Sequence, residues 1–181
     1  MRAMDSRLVE KQVLYAGTKV HLELHHLRDA DDRKYKREVV VHPGAAVILP
    51  VLPDGRIILI KTFRYAVREH LLELPAGTID PGETPINCAG RELMEETGYV
   101  AGKLTRLASF YSSPGVLTEK MHAYVATDLL PHAGEKDPGE EIELQPMTYE
   151  EAMNAALNGD IIDGKTLTTL LLYDARRKAG R

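Results

Sequence analysis

The stretch from Gly77 to Tyr99 constrains this chain more than any other, because it combines the punctuation of a helix with an unusual concentration of charge. A loop rich in Pro, Gly and Asp leads to Thr84, which can cap a helix, and Pro85 suits the first turn, where an N–H has no intrahelical partner. Gly98 then supplies the left-handed position that closes a helix. Between these limits Ile86, Ala89, Leu93 and Thr97 recur every three or four residues and are predicted to face a core. Glu92, Glu95 and Glu96 recur at the same spacing, so their carboxylates are predicted to share one face, roughly opposite Leu93 and Ile86. Like charges so placed repel by about 0.2–0.5 kcal/mol per pair in water, and by more when partly buried, so a positive partner is required. A solvated acidic face is the ordinary reading of a lone Glu-Glu pair. Here the glutamates belong to a longer arrangement.

The rest of the chain reads as strands and helices that could pack against this element. From Lys11 to His42 the pattern has period two, as in Val20-His21-Leu22-Glu23-Leu24 and Tyr35-Lys36-Arg37-Glu38-Val39, with a charged loop from Asp29 to Arg33. These are predicted antiparallel strands. So short a segment buries too little apolar area to be stable alone, and it must lean on the main domain or on a second subunit. His42-Pro43-Gly44 marks the junction, giving an N-terminal β-strand segment over 1–42 and a main domain over 43–181. Two apolar runs, Ala45 to Leu52 and Arg56 to Phe63, flank Pro53-Asp54-Gly55 and predict a central hairpin. A further run spans His70 to Leu74. Strands are expected near Leu104 to Tyr111, Met121 to Thr127 and Glu141 to Gln145, and helices over Tyr149 to Asn158 and Lys165 to Arg177.

Composition removes several classes of function. With 181 residues, 44% hydrophobic and 28% charged, the chain matches the globular average rather than disorder, collagen or coiled coil. One cysteine, Cys88, excludes an internal disulfide and a cysteine-rich zinc site, and points to a reducing compartment. A formal charge of -4, from 23 Lys+Arg against 27 Asp+Glu, offers no broad basic field, so no nucleic-acid partner is expected. Met1 to Gln12 has no apolar signal region, and no run approaches the roughly 18 apolar residues of a membrane helix. A cytoplasmic protein without membrane contact is expected.

Read together, Gly77, Glu83, Arg91, Glu92, Leu93, Glu95, Glu96, Gly98 and Tyr99 spell G-x5-E-x7-R-E-U-x-E-E-x-G-U, where U is a bulky residue. That pattern is the Nudix box, and the chain resembles the Nudix hydrolase superfamily at every defined position. The chemistry accounts for the spacing, since Mg²⁺ takes hard oxygen ligands and grips substrate phosphates, and a helix delivers carboxylates at these intervals. Arg91, one turn before Glu95, can hold that carboxylate and Glu83 through bidentate hydrogen bonds. The resemblance implies an α/β fold, the Nudix α/β/α sandwich around a mixed sheet, with a small N-terminal antiparallel β segment. It implies metal ligation by the carbonyl of Ala76 and by Glu92, Glu95, Glu96 and Glu140, catalytic roles for Glu95 and Arg91, and Mg²⁺ as cofactor with Mn²⁺ as the alternative. The reaction implied is cleavage of a nucleoside diphosphate linked to another group, the metal neutralising the diphosphate and activating water.

Beyond the box, the chain resembles the ADP-ribose (ADP-sugar) pyrophosphatase branch over nearly its whole length. Arg37-Glu38-Val39-Val40, followed by His42-Pro43-Gly44-Ala45, is similar to the adenine-contacting strand of that branch. Phe63-Arg64-Tyr65, leading to Leu72-Glu73-Leu74-Pro75-Ala76-Gly77, is similar to its phosphate-contacting arginine and approach to the box. Ser113-Pro114-Gly115 with Glu119 matches its marker proline, and Asp137 to Glu143 its acidic loop. These likenesses imply substrate contacts by Arg37, Glu38, Arg64, Pro114, Gly115 and Glu119. In the acidic loop Glu140 matches the family's metal ligand, but the position two residues earlier, where some members place the catalytic base, is Pro138. The candidate bases are therefore Glu140, Glu141 and Glu135, in that order. The implied activity is Mg²⁺-dependent hydrolysis of ADP-ribose, or a related nucleotide sugar, to a nucleoside monophosphate and a sugar phosphate. A GDP-sugar pyrophosphatase and a non-catalytic ADP-ribose sensor are the alternatives, the intact box arguing against the sensor. A homodimer is expected, with the 1–42 strands pairing across subunits and contributing to base binding.

Other signals carry less. Gly159 and Gly164-Lys165-Thr166 satisfy a literal P-loop pattern, but it follows a helical segment near the chain's end, and Asp160 and Asp163 would repel phosphate. Gly159 is read instead as a helix stop, and Asp163-Gly164 as the turn into the last helix. His21 and His25 share a strand face and His26 takes the other, with no carboxylate or cysteine expected to complete a metal shell. Cys88 is expected to be a small buried hydrophobe, and Arg176-Arg177-Lys178 suits a helix C-terminus.

Overall fold

A computed structural model describes residues 7–132 and 142–180. Within them the elements run β1 (Arg7–Ala16), β2 (His21–Arg28), β3 (Lys34–Val41), β4 (Ala45–Pro50), β5 (Ile57–Arg64), β6 (Glu69–Glu73), β7 (Ala76–Thr78), α1 (Pro85–Thr97), β8 (Tyr99–Tyr111), β9 (Lys120–Pro131), β10 (Ile142–Met147), α2 (Tyr149–Asn158) and α3 (Gly164–Lys178). They fall into two compact units. One is the described part of Met1–Pro43 with Tyr111–Lys120, and the other the described part of Gly44–Phe110 with Met121–Arg181.

The first unit is an antiparallel sheet in the order β1-β2-β3, with His21 opposite Val41 and Arg28 opposite Lys34 across its second pairing. The turn between β2 and β3 is closed by Asp29, whose side chain accepts from the N–H groups of Asp31 and Arg33 at 2.9 Å each. Such a loop forms from local chemistry alone. β2 is half-buried, whereas every residue of β1 is exposed, including Leu8, Val9, Val13, Leu14 and Tyr15. Residues 111–120 run beside the end of β3, with Val40 N–H bonded to Val116 and Thr118 N–H to Val40. The expectation that no carboxylate lies near the histidines is corrected here. Glu23 shares their face and accepts from His21 at 3.3 Å and His25 at 2.6 Å, because residues two apart on a strand point the same way.

The second unit is built on β4 and β5. All six residues of β4 are buried, and alternation sends Ala45, Val47 and Leu49 into one core and Ala46 and Ile48 into another. β5 divides likewise, Ile57 and Leu59 joining the first core and Ile58 the second. The first core is completed by Ala152 of α2 and Leu170 of α3, the second by Cys88, Ala89 and Leu93 of α1. Helices thus cover both faces, the α/β/α arrangement that the resemblance implies.

The hairpin expectation needs amendment. Pro53-Asp54-Gly55 does turn the chain, with Leu52 N–H bonded to the carbonyl of Arg56, yet β4 and β5 share only the bridge between Val51 and Ile57. β4 pairs in parallel with β9 in a mixed sheet β7-β4-β9-β8, and β5 lies in an antiparallel sheet β10-β5-β6. A strand buried on both faces takes whichever neighbours complete its ladder, and the adjacent strand in sequence need not be one. Among the described residues no helix is long and apolar enough to cross a membrane.

Candidate active site

The glutamate helix forms as its ends predict. Thr84 caps α1 by accepting from Asn87 N–H, Pro85 opens it, and Gly98, at φ 73°, closes it with its N–H on the carbonyl of Met94. Cys88, Ala89, Leu93, Glu96 and Thr97 form its buried face. Complete burial of Leu93 contributes about 1.5–3 kcal/mol and holds the helix against β4 and β5. Two expectations change. Ile86 is 45% exposed, because the buried stripe begins only with Cys88, and Glu96 lies at the core side, 7% exposed, rather than on the open acidic face.

Arg91 organises the remaining charge. Its Nε and Nη2 donate to the two carboxylate oxygens of Glu83 at 3.1 and 3.0 Å, and its Nη1 donates to Glu92 at 2.7 Å and to Glu95 at 3.0 Å. Nη2 also reaches the carbonyl of Thr78 at 3.1 Å. One guanidinium therefore answers the repulsion among three carboxylates. Hydrogen bonding to Glu83, opposed by burial and reinforced by Glu92, raises the pKa of Arg91 further, and the same contact holds Glu83 below the usual carboxylate range. Burial, with Glu92 and Glu83 nearby, pushes the Cys88 thiol up to about 12, so it stays protonated.

β7 supplies the backbone wall. Ala76 N–H donates to Glu96 at 2.9 Å, the carbonyl of Pro75 accepts from Ile48, and Gly77 lies opposite Ala46. A Cβ on Gly77 would sit 1.9 Å from Glu92 Oε1, so only glycine leaves room for that carboxylate. Among the described residues no three His, Cys, Asp or Glu side chains converge on a common point; the glutamates converge on Arg91 instead. Glu92, Glu95 and Glu96 nevertheless carry only oxygen donors, and Gly77 leaves room beside Glu92; such a donor set has the chemistry of a site for a hard divalent cation and not a soft one.

Arg64, at the end of β5, also belongs to this unit and is held by a bidentate ion pair with Glu73, both bonds 2.8 Å. Arg37, Glu38, Pro114, Gly115 and Glu119 belong to the first unit. There Arg37 stacks over Tyr35 at 4.9 Å and donates to the carbonyl of Lys36, while Glu119 lies 3.6 Å from His42. Glu140 and Glu141, with Glu135 and Pro138, lie outside the described residues. The sequence reading missed Glu73 as a partner of Arg64, and a lone carboxylate inside the apolar run Leu71 to Leu74 was the available signal.

The NUDIX domain matches residues 41–170. The chain is 36% identical to "ADP-ribose pyrophosphatase" of Bacillus subtilis (strain 168) over 92% of its own length and 91% of that protein's. It is 31% identical to "Methanol dehydrogenase activator" of Bacillus methanolicus, with the same coverage of both chains. To "GDP-mannose pyrophosphatase" of Escherichia coli O139:H28 the identity is 32%, over 79% of this chain and 80% of the other. Among solved structures, an "ADP compounds hydrolase" superposes with a TM-score of 0.87 at 24% identity, covering 99% of this chain and 98% of that one, a likeness of fold.

Proposed function

This chain belongs to the NUDIX family and hydrolyses the diphosphate bond of nucleotide sugars, and we propose that its substrate is ADP-ribose, cleaved to AMP and ribose 5-phosphate with Mg²⁺ as the cation. The observation that carries this reading is the likeness to an ADP-ribose pyrophosphatase across 92% of the chain, a share too large to leave out the glutamate helix. A GDP-sugar is the second reading, supported by 32% identity to a GDP-mannose pyrophosphatase over 79% of the chain.

Glu92, Glu95, Glu96, the carbonyl of Ala76 and Glu140 would hold the cation, with Mn²⁺ as the alternative to Mg²⁺. When bound, such a cation neutralises the diphosphate and lowers the pKa of the attacking water. Arg91 holds Glu83, Glu92 and Glu95 in place so that they need not reorganise during the reaction. Arg64 grips the diphosphate. A loop glutamate, Glu140 first, then Glu141 or Glu135, takes the proton of the attacking water. Arg37 and Glu38 recognise the base, and Pro114, Gly115 and Glu119 shape the substrate site.

The enzyme is a cytoplasmic homodimer in this reading, without a nucleic-acid or membrane partner. Support for the dimer comes from β1, whose apolar residues Leu8, Val9, Val13, Leu14 and Tyr15 are all exposed along an edge strand. Release of inorganic phosphate from a panel of nucleotide sugars, after coupling to a phosphatase, tests the activity. ADP-ribose turnover that requires Mg²⁺ and exceeds GDP-mannose turnover by about tenfold in kcat/KM, or about 1.4 kcal/mol, is expected. Preference for GDP-mannose would overturn the choice of substrate, and binding of ADP-ribose without turnover would favour a sensor.

A further inference from the structure

A second concentration of charge, centred on a buried carboxylate, lies where β5, β6 and the start of α3 meet. Glu73 is 1% exposed, yet its Oε1 accepts from Arg64 Nε and its Oε2 from both Arg64 Nη2 and Lys165 Nζ. Lys165 lies 3.0 Å from Asp163 as well. Asp163 caps α3 by accepting from Thr166 N–H at 3.0 Å and Thr166 Oγ1 at 2.6 Å, and that hydroxyl oxygen accepts from Leu74 N–H at 2.8 Å. Of the residues that spell a P-loop in the sequence, Lys165 and Thr166 are thus turned inward, while Gly159 and Gly164 are exposed. Lys165 and Thr166 hold the strand end that leads into Pro75 and Ala76.

Burial alone would raise the pKa of Glu73, but the hydrogen bonds from Arg64 and the charge of Lys165 outweigh it, so the carboxyl stays ionised. Charges then alternate as Arg64, Glu73, Lys165 and Asp163 and cancel. Without the lysine, this linked group would hold two carboxylates and one guanidinium, a net negative charge beside Arg64.

We propose that Lys165 is a positioning residue for diphosphate binding: by sharing Glu73 with Arg64 and offsetting Asp163, it fixes the guanidinium and preserves the positive field that the phosphates meet. This rests on the reading of Arg64 as the phosphate-gripping residue. Lys165 touches no reacting atom in this role. It acts on binding common to ground and transition states, so its loss should appear in KM rather than in kcat.

The test is steady-state kinetics with ADP-ribose on four variants of the full chain. Lys165→Met keeps the stem and removes the charge, and should raise KM by about tenfold with kcat within about threefold of the parent. Lys165→Arg, which keeps the charge, should recover KM to within about threefold. Arg64→Ala should raise KM by itself, and adding Lys165→Met to it should raise KM no further, because the lysine acts through the arginine. Glu73→Asp retains every charge but withdraws the carboxylate from both cations, so it should also raise KM and serves if Lys165→Met does not fold. An unchanged KM in Lys165→Met or Glu73→Asp, or an undiminished effect of Lys165→Met in the Arg64→Ala background, overturns the proposal while Arg64 keeps its role. An unchanged KM in Arg64→Ala overturns that role and the proposal with it.

Discussion

Replacing Gly77 with Ala probes the candidate active site through a single carbon atom. The new Cβ would lie 1.9 Å from Glu92 Oε1 and 2.0 Å from its Cδ. Carbon and oxygen in contact need about 3.3 Å, so the carboxylate must retreat by roughly 1.4 Å. Gly77 is not among the glycines with positive φ, so alanine meets no backbone strain of its own. Nor can the backbone yield easily, because β7 is paired with β4 through Ala46, and the neighbouring Ala76 N–H is bonded to Glu96. The displacement therefore falls on Glu92 and breaks its 2.7 Å hydrogen bond to Arg91.

Overpacking of this kind costs about 1–3 kcal/mol. In a chain of this length, that lowers Tm by roughly 2–12 °C. A misplacement of about 1 Å costs about 100-fold in rate where a group helps to position the reaction, so with Glu92 in its proposed cation-holding role kcat should fall by at least that factor. Thermal unfolding and initial rates on ADP-ribose measure both effects. The decisive comparison repeats Gly77→Ala in a Glu92→Ala background, where no carboxylate remains to clash and the stability cost should drop below about 0.5 kcal/mol. Equal Tm losses in the two backgrounds, or near-normal turnover in Gly77→Ala, would refute the close approach as the reason for glycine.

Glu95→Gln and Glu96→Gln should each lower kcat by orders of magnitude while circular dichroism shows a folded protein, and near-normal activity in both would sink the assignment of α1 as the metal-holding helix. Glu140→Gln should reduce kcat more than Glu141→Gln or Glu135→Gln; equal small effects in all three would make the loop solvated surface only. Val9→Lys with Val13→Lys places two charges among the exposed apolar residues of β1, and light scattering at micromolar concentration should report a dimer for the parent and a monomer for the double variant. A monomeric parent, or a double variant that remains dimeric, would remove β1 from the interface.

The sequence by itself determined what depends on near neighbours. Thr84, Pro85 and Gly98 delimit α1 because capping and left-handed closure are satisfied within one turn. The reach of Arg91 to Glu83 and Glu95 follows from helical spacing and a short loop, and the end of α2 at Gly159 follows from the same chemistry. Tertiary structure decided what depends on distant partners. The turn at Pro53-Asp54-Gly55 is local, but the pairing of β4 with β9 is set by burial on both faces and by strands far along the chain. Periodicity placed Glu96 with the open glutamates, whereas the Ala76 N–H draws it to the core side. Glu73 reads in sequence as a polar residue in an apolar run. Only folding brings Arg64 from β5 and Lys165 from α3 onto it, and a buried carboxylate is tolerable only where such cations meet it.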